Sequence, residues 1–399
     1  MRELRINAVE VIAVRGPRPP RQPGPVQVQI RQLYLYPEHR PPARRPPDPA
    51  AVPDWTQSLY LRIGTDTDAE GFYGPIDREA AWPIVDMLAG FLIGQDPLAG
   101  TIMWDKLQRY DRHARHGHLK IAISAVDNAL WDLRGKVFGA PVWQLLGGPS
   151  RTSIPAYAST LGTSLEPDAA QEFARQTAKE GYAGQKWFMA HGPGDGPEGL
   201  ERDIEVAERV RGALGPSAML MFDAFMGWDL AYATSFARAV EPLHPAWLEE
   251  PFPASARASF AELRRRTSVP LSAGEHLYDR DDVLPFLREG LLGVLQTDPE
   301  WCGGVTELVR ICALAETFGV PVIPHGHALH AALHVVASQS PAVCPMAEYL
   351  MRSMPDRYHF EVSPPAPAGG HFELPRRPGF GIELDDAKID SRRVWQPQA

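Results

Sequence analysis

Five residues that can bind a metal or move a proton recur at nearly even spacing in the second half of the chain. They are Asp223, Glu249, Glu275, Asp298 and His325, and 23 to 27 residues separate each from the next. Each ends a short apolar run that is typical of a buried strand, and amphipathic stretches separate the runs. Because the carboxyl ends of parallel barrel strands share one rim, this spacing predicts a single site.

The first three of these residues are acids. Three carboxylates converging in a partly buried site repel one another strongly unless a cation lies between them. We therefore predict that Asp223, Glu249 and Glu275 bind a divalent metal. Ligation by oxygen alone favours Mg2+, with Mn2+ as the alternative, and disfavours Zn2+.

Asp298 and His325 fall on neighbouring predicted strands. A carboxylate beside an imidazole fixes the tautomer of the ring and raises its basicity, so the pair is a candidate general acid/base. On the second strand, "QKWFM" places Lys186 within a mostly apolar run. Lys186 either forms an ordinary ion pair or neutralises a carboxylate or enolate oxygen of a substrate.

The segment "PHGHALHAALH", residues 324–334, contains four histidines whose spacing, taken alone, is also compatible with zinc. Since the acids on other strands already provide a metal site, we expect only His325 to be catalytic. His330 and His334 then lie on the following helix, where packing is the expected role. Five side chains near the predicted rim are candidates for lining the substrate pocket: Trp187, His191, His276, Trp301 and His327.

Repeated strand–helix units predict an α/β fold, a (β/α)7β TIM-like barrel preceded by an N-terminal α+β capping domain. We expect the capping domain over residues 1–120 and the barrel over 121–351. Residues 352–399 are rich in Pro and Gly and are expected to return to the capping domain. The proline-dense residues 17–53 indicate either a lid over the active site or a floppy insertion.

The composition is that of a soluble globular protein, with 399 residues, 44% hydrophobic residues and a net charge of −9. The acidic balance argues against non-specific nucleic-acid binding. No apolar run is long enough to cross a bilayer, and the N-terminal residues do not follow a signal-peptide pattern. Cys302, Cys312 and Cys344 lack C-x-x-C spacing, which favours free thiols and a cytoplasmic location.

Several motifs, taken in order, resemble the enolase superfamily in its mandelate racemase subgroup, and the resemblance covers nearly the whole chain. They are "AVDNALWDLRGKVFGAPVWQLLGG" at 125–148, "FDAFMGWD", "WLEEPF", "SAGEH", "QTDPEWCGGVTE" and "PHGH". Within that subgroup, "GQKWFMAHGPGDG" is similar to the acid-sugar dehydratases. The resemblance implies that one Mg2+ is bound by Asp223, Glu249 and Glu275, and it selects Glu249 over its neighbour Glu250.

The resemblance also implies roles for the remaining polar residues. His325 with Asp298 corresponds to the general acid/base, Glu348 to an acid that contacts the substrate carboxylate, and Lys186 to the first lysine of a K-x-K motif. Phe188 occupies the second lysine position and cannot move a proton. One evident base suffices for dehydration but not for racemisation. The expected reaction is therefore dehydration of a sugar acid, an aldonate or aldarate, to a 2-keto-3-deoxy acid.

Three alternatives remain open. A racemase or epimerase of a hydroxy acid would use the same scaffold. A zinc hydrolase of the amidohydrolase kind would carry its H-x-H on the first barrel strand, whereas here it follows the seventh. A catalytically silent binding protein would not require the acids and the dyad together. The resemblance further implies a homo-oligomer that acts on a small-molecule carboxylate.

Overall fold

The structure, a computed structural model, describes residues 4–20, 28–40 and 53–396. Its strands are β1 (Ile6–Pro17), β2 (Trp55–Thr65), β3 (Glu70–Ile76), β4 (Ser153–Ser159), β5 (Gly184–Phe188), β6 (Met219–Asp223), β7 (Trp247–Glu249), β8 (Leu271–Ala273), β9 (Val294–Leu295), β10 (Ala347–Leu350), β11 (His371–Glu373) and β12 (Ser391–Val394).

The helices of the N-terminal part are α1 (Arg78–Trp82), α2 (Ala89–Leu92), α3 (Gly100–Tyr110), α4 (Gly117–Phe138) and α5 (Val142–Leu145). The later helices are α6 (Pro167–Thr177), α7 (Gly196–Leu214), α8 (Leu230–Val240), α9 (Arg257–Arg266), α10 (Arg280–Arg288), α11 (Gly304–Thr317), α12 (Leu329–Ser338) and α13 (Met354–Arg357). Among the residues described, no helix is both long and apolar enough to span a membrane.

The N-terminal unit is built on an antiparallel sheet with strand order β12-β1-β2-β3. The last strand in the chain, β12, pairs with β1, and Val394 lies opposite Ile12. The end of the C-terminal segment therefore joins the N-terminal sheet, whereas β11 of the same segment pairs with β4 of the barrel. Helix α4 packs across β2 and β3 and covers the apolar face of this sheet.

Helix α4 also joins β3 to the C-terminal segment through a buried carboxylate. Asp132 accepts hydrogen bonds from the backbone N–H of Phe72, in β3, and of Phe380, each at 2.8 Å. Lys136, one turn further along the helix, pairs with Asp132 at 2.7 Å. The helix ends at Gly139, whose φ of +64° is the left-handed conformation that glycine adopts at low cost.

The larger unit is a parallel sheet with strand order β10-β4-β5-β6-β7-β8-β9, curled with its helices outside. Helices α6 to α12 alternate with the strands, as the repeated strand–helix units predict. The predicted seventh strand is reduced to one bridge, in which Val322 pairs with Leu295. The predicted (β/α)7β barrel with an N-terminal capping unit is confirmed.

Large apolar side chains fill the barrel interior below the rim. They form one buried cluster of Tyr157, Met221, Trp247, Val294 and Ile323. Successive side chains of a strand point to opposite faces, so every second residue returns to the interior. Asp223, Glu249 and His325 each follow a member of this cluster by two positions and therefore lie above it, at the carboxyl end of the barrel.

Part of the proline-dense segment docks on this end of the barrel. The backbone N–H of Ile30 donates to the carbonyl of Met189 at 2.9 Å, and the Ile30 side chain lies against Gly192 and Gly227. Residues 28–40 thus cover part of the rim after β5 and β6, as a lid would. The predicted lid also included residues 21–27 and 41–52, which lie outside the described residues.

Candidate active site

The predicted acid/base pair is in direct contact. His325 Nδ1 lies 3.1 Å from Asp298 Oδ2, and His325 Nε2 lies 3.2 Å from Glu275 Oε2. Although burial by itself lowers the pKa of His325, the Glu275 charge and the Asp298 hydrogen bond outweigh it and raise that pKa to about 10. The geometry provides a basic imidazole whose Nε2 faces the acidic site and whose Nδ1 is held by a buried carboxylate.

Lys186 lies among three carboxylates at the centre of the rim. Its Nζ is 2.8 Å from Glu249 Oε1, 2.8 Å from Glu348 Oε1 and 3.4 Å from Asp223 Oδ2, and its side chain is fully buried. Burial alone lowers the pKa of Lys186, but the charges of Glu249 and Glu348 raise it well above its usual value. Lys186 therefore stays an ammonium that can hold an anion but cannot readily accept a proton.

Glu348 is held by a close approach of the backbone. The N–H of Gly326 donates to Glu348 Oε2 at 2.9 Å, and a Cβ at residue 326 would come within 2.9 Å of the Glu348 side chain. This close contact explains why a glycine occupies position 326 in "PHG". Burial raises the pKa of Glu348, but the charges of Lys186 and His325 outweigh it and lower the pKa.

The predicted metal ligands lie close together, but their contacts with other side chains differ. Burial raises the pKa of Asp223 to about 7 and is also the main cause of the raised pKa values of Glu249 and Glu275. Glu249 faces Lys186 and also accepts from Trp247 Nε1 at 3.1 Å. The donor set is oxygen-rich and carries more negative charge than Lys186 balances, so it fits a divalent cation.

Glu250, over which the family resemblance selects Glu249, joins a tighter group of possible ligands. Glu250, Glu275 and His276 place one ligand atom each within 4.8 Å of one another. His276 Nδ1 lies 2.9 Å from Glu250 Oε2 and 3.5 Å from Glu275 Oε1. Glu250 has a φ of +37°, which is unusual for a side-chain-bearing residue and breaks the strand alternation after β7. The choice of Glu249 as third ligand stays a prediction.

Three of the proposed pocket residues surround the base. The Trp301 ring lies 5.9 Å from that of His276, 5.1 Å from His325 and 5.0 Å from His327, measured between centroids. The rings of His325 and His327 are nearly parallel, at 11° and 6.1 Å. The structure therefore brings His276, Trp301 and His327 to the site.

Trp187 and His191 are not brought there. Trp187 is fully buried in the core, edge-on to Phe173 of α6, so its prediction as a pocket residue is wrong. Strand alternation explains the error, because the neighbouring Lys186 points into the barrel and Trp187 must point out. His191 Nδ1 binds Asp203 of α7 at 2.8 Å, and no described contact joins it to the site.

Three further residues near the site were not predicted from the sequence. Asp77, which follows β3 in the N-terminal unit, contacts both His327 and Trp301. Arg357 and Glu300 complete the same group. Nothing in the local sequence marks Asp77, because its contacts lie more than 200 residues away. His330 and His334 pack on α12 as expected: His330 pairs with Glu361, and His334 accepts from the backbone of Trp143.

Comparison with known proteins finds family matches over both units of the chain. Residues 168–388 match the family described as "Enolase C-terminal domain-like", and residues 65–147 match "Mandelate racemase / muconate lactonizing enzyme, N-terminal domain". A protein from Saccharopolyspora erythraea named L-rhamnonate dehydratase is 35% identical over 324 residues, which are 79% of each chain.

Two solved structures extend the likeness over nearly the whole chain. L-rhamnonate dehydratase from Gibberella zeae aligns with a TM-score of 0.81 and 27% identity, covering 97% of this chain and 95% of that one. The 3,6-anhydro-D-galactonate cycloisomerase from Zobellia galactanivorans aligns with a TM-score of 0.76 and 26% identity, covering 97% and 100%. With both domain matches in place, the chain belongs to the enolase superfamily, in the group of mandelate racemase and muconate lactonizing enzyme.

Proposed function

We propose that this protein is a metal-dependent hydro-lyase that dehydrates a sugar acid to a 2-keto-3-deoxy acid. The single observation that carries the proposal is the His325–Asp298 dyad beside the carboxylate group, with Phe188 in place of a second basic residue on β5. The relatives named L-rhamnonate dehydratase support the same reaction class.

The first step removes the very weakly acidic proton alpha to the substrate carboxylate. His325 is the base for the proton alpha to the substrate carboxylate, and Asp298 stabilises the imidazolium that forms. The ammonium of Lys186 is fixed by its carboxylate neighbours and offers positive charge to the carboxylate of the substrate as it becomes an enolate. Mg2+, held by Asp223, Glu275 and either Glu249 or Glu250, would supply further stabilisation of the enolate oxygens.

The second step expels the 3-hydroxyl. The C3–O bond breaks, the oxygen takes a proton to leave as water, and the resulting enol tautomerises to the 2-keto acid. His325 carries the proton from C2 and returns it to the leaving hydroxyl if both groups lie on one face of the substrate. A cation bound by Glu275 would offset the charge that holds the proton on His325, so that Asp298 and Glu348 would set the basicity of the ring.

A substrate screen tests the proposal. Purified protein with Mg2+ is incubated with aldonic and aldaric acids of every stereochemistry, L-rhamnonate among them, and 2-keto products are measured. We expect one or a few acids to be dehydrated, and we expect His325→Asn to abolish turnover while Mg2+ affinity stays within about threefold. Bound metal without turnover of any acid in the set would contradict the proposal, and loss of metal binding in His325→Asn would make His325 a ligand.

One observation favours an epimerase as the second candidate. His276, paired with Glu250 at 2.9 Å, places a second imidazole beside Trp301, and an epimerase needs a base on each face of the substrate carbon. Running the screen in deuterium oxide separates the two. Deuterium at C2 of the inverted epimer, without any keto product, would establish epimerisation, whereas keto product establishes dehydration.

A further inference from the structure

Five side chains meet where the N-terminal unit touches the barrel rim, and we call them the Asp77 cluster: Asp77, Glu300, Trp301, His327 and Arg357. Asp77 Oδ1 lies 2.7 Å from His327 Nε2 and 3.3 Å from Arg357 Nη1, and Asp77 Oδ2 accepts from Trp301 Nε1 at 3.0 Å. Arg357 Nη2 binds Glu300 Oε2 at 2.7 Å and also donates to the carbonyl of Pro75 at 2.7 Å.

Asp77 occupies a position where an aspartate ordinarily does something else. It is the residue before α1, where the carboxylate usually accepts a backbone N–H of the first helical turn. Here its side chain makes no such capping hydrogen bond. Both of its oxygens instead contact residues of the barrel unit. The side chain is therefore directed towards the active site and does not cap α1.

The contacts of Asp77 select one tautomer of His327. Asp77 remains a carboxylate, because His327, Arg357 and Trp301 outweigh burial and lower its pKa. A carboxylate only accepts, so His327 Nε2 must carry the proton that it donates. Burial and the charge of Arg357 lower the pKa of His327, which keeps the ring neutral. Nδ1 is then a bare acceptor, and it has no hydrogen-bond partner among the described residues.

That acceptor lies beside the reaction centre. His327 stacks at 6.1 Å on the ring of the base, His325, and both rings contact Trp301. The His327 side chain keeps 20% of its surface exposed although its neighbours Glu300 and Asp298 are fully enclosed. A substrate bound against His325 therefore passes within reach of His327.

A metal ion is the competing interpretation of the cluster, because Asp77, Glu300 and His327 bring three ligand atoms within 4.8 Å of one another. The guanidinium of Arg357 argues against it. It already pairs with both carboxylates, at 3.3 and 2.7 Å, and its charge would repel a cation placed between them. Arg357 thus already supplies positive charge to both carboxylates of the cluster.

We infer that Asp77 is a positioning residue, supplied by the N-terminal unit, which holds His327 as the Nε2–H tautomer so that Nδ1 accepts a hydrogen bond from a hydroxyl of the substrate. The inference rests on the proposed function for the identity of the substrate. It makes His327 a specificity determinant that recognises a hydroxyl group and disfavours a second carboxylate, since an acceptor nitrogen repels an anion.

The tautomer is tested without any substrate. Nitrogen-15 NMR of protein labelled at the histidine rings distinguishes a protonated from a bare ring nitrogen, and loss of one signal in His327→Gln assigns it. We expect His327 to carry its proton on Nε2 in the unmodified protein and to lose that preference in Asp77→Asn, whose amide can also donate. A proton on Nδ1, or a charged ring at neutral pH, in the unmodified protein would overturn the inference.

The hydroxyl contact is tested with the acid that the screen identifies and with analogues that each lack one hydroxyl beyond C3. For the unmodified protein we expect one analogue to lose about tenfold in kcat/KM, the usual size of one such hydrogen bond. In Asp77→Asn we expect the full acid to lose about tenfold, mainly through KM, and that analogue to lose less than twofold more. An analogue penalty that is the same in both proteins would overturn the contact.

A matched control separates positioning from general damage. Asp282→Asn makes the same change at a half-buried aspartate 3.2 Å from an exposed histidine, His116, and should leave both kinetic constants unchanged. If the unmodified protein turns over no acid, the proposed function and the hydroxyl contact both fail, while the NMR result still decides the role of Asp77. Two metal ions bound per chain, with one lost in Asp77→Asn, would establish the metal interpretation instead.

Discussion

At the scale of single residues, the site is a balance between buried acids and few cations. In the part of the chain that the structure describes, Lys186 is the one ammonium in contact with Asp223, Glu249 and Glu348, and each of those acids is almost fully buried. Removing a partner from such a group leaves an uncompensated charge, which costs more than the pair itself contributes. The residues that hold the metal are therefore distinguished by binding measurements and not by stability.

The first prediction concerns the two adjacent glutamates. If Glu249 is a ligand, Glu249→Gln should weaken Mg2+ binding by at least tenfold, and Glu250→Gln should change it by less than threefold. Each amide keeps the shape of the side chain and removes one negative charge, so the comparison isolates the ligand role. Isothermal calorimetry measures both affinities. The reverse ranking would assign Glu250, the residue grouped with Glu275 and His276.

A second prediction concerns acid stability. Burial lowers the pKa of His334 to about 3. Between about pH 6.5 and 3, His334 is therefore protonated in the unfolded chain and neutral in the folded protein. Stability is present above the usual histidine pKa and is lost as the pH falls. From pH 7 to pH 4.5 this group should cost roughly 2–3 kcal/mol.

Urea unfolding of the unmodified protein and of His334→Asn measures that cost. The asparagine Oδ1 can still accept from Trp143 N–H, which His334 Nδ1 does now at 3.0 Å. We expect the variant to be less stable at pH 7 but to lose less stability on acidification. An equal loss in both proteins would show that His334 does not titrate in this range.

At the scale of elements, α4 holds the loop that follows the sixth barrel strand. The N–H of Gly303 donates to Ser124 Oγ at 2.8 Å, and Thr306 donates to Asp127 through its N–H and its hydroxyl at 2.9 and 2.7 Å. Asn128 adds two further bonds to the same loop, and all three α4 residues are buried. The polar side chains of "SAVDN" thus hold the loop that carries Trp301 in place.

The third prediction follows from Asn128. Its Nδ2 donates to the Pro299 carbonyl at 3.1 Å and its Oδ1 accepts from Val305 N–H at 2.9 Å. Asn128→Ala leaves two buried backbone groups unpaired and should lower the free energy of unfolding by about 3 kcal/mol. Urea unfolding checks this, with Gln176→Ala on the exposed face of α6 as a control within 0.5 kcal/mol. A stability loss no larger than that of the control would contradict the role assigned to α4.

At the scale of the whole molecule, the two units share one site. The acids and the base come from separate barrel strands, while Asp77 comes from the N-terminal sheet and residues 28–40 cover part of the rim. A ligand that binds this site contacts elements far apart in the chain, so its binding should stabilise the entire fold. Self-association stays a prediction from the family resemblance, and light scattering after gel filtration measures it.

The fourth prediction is the size of that stabilisation. Mg2+ at a hundred times its dissociation constant should raise the unfolding free energy by about 2.7 kcal/mol, which for a chain of this length shifts Tm by roughly 3 °C. Calorimetry with Mg2+ and with a chelator checks it. Glu275→Gln should abolish the shift, and Glu262→Gln, at a half-buried position of α9 paired with Arg265 and Arg266, should keep it. A shift that persists in Glu275→Gln would place the ion elsewhere.

The sequence by itself determined the barrel, the order of its strands and the residues at their carboxyl ends. It did so because strand and helix periodicities are local, and because side chains alternate, so His325, Asp298 and Lys186 could be placed without a structure. The same alternation, applied to Trp187, would have excluded it from the pocket.

Only the tertiary structure showed which of these residues contact one another. Glu250 enters the acidic group because its positive φ breaks the alternation. Asp77 and Arg357 meet His327 because β3, the barrel rim and the segment after β10 are folded together across more than 200 residues of sequence. Contacts of that separation leave no periodic trace in a single chain, so only the packing of the two units shows them.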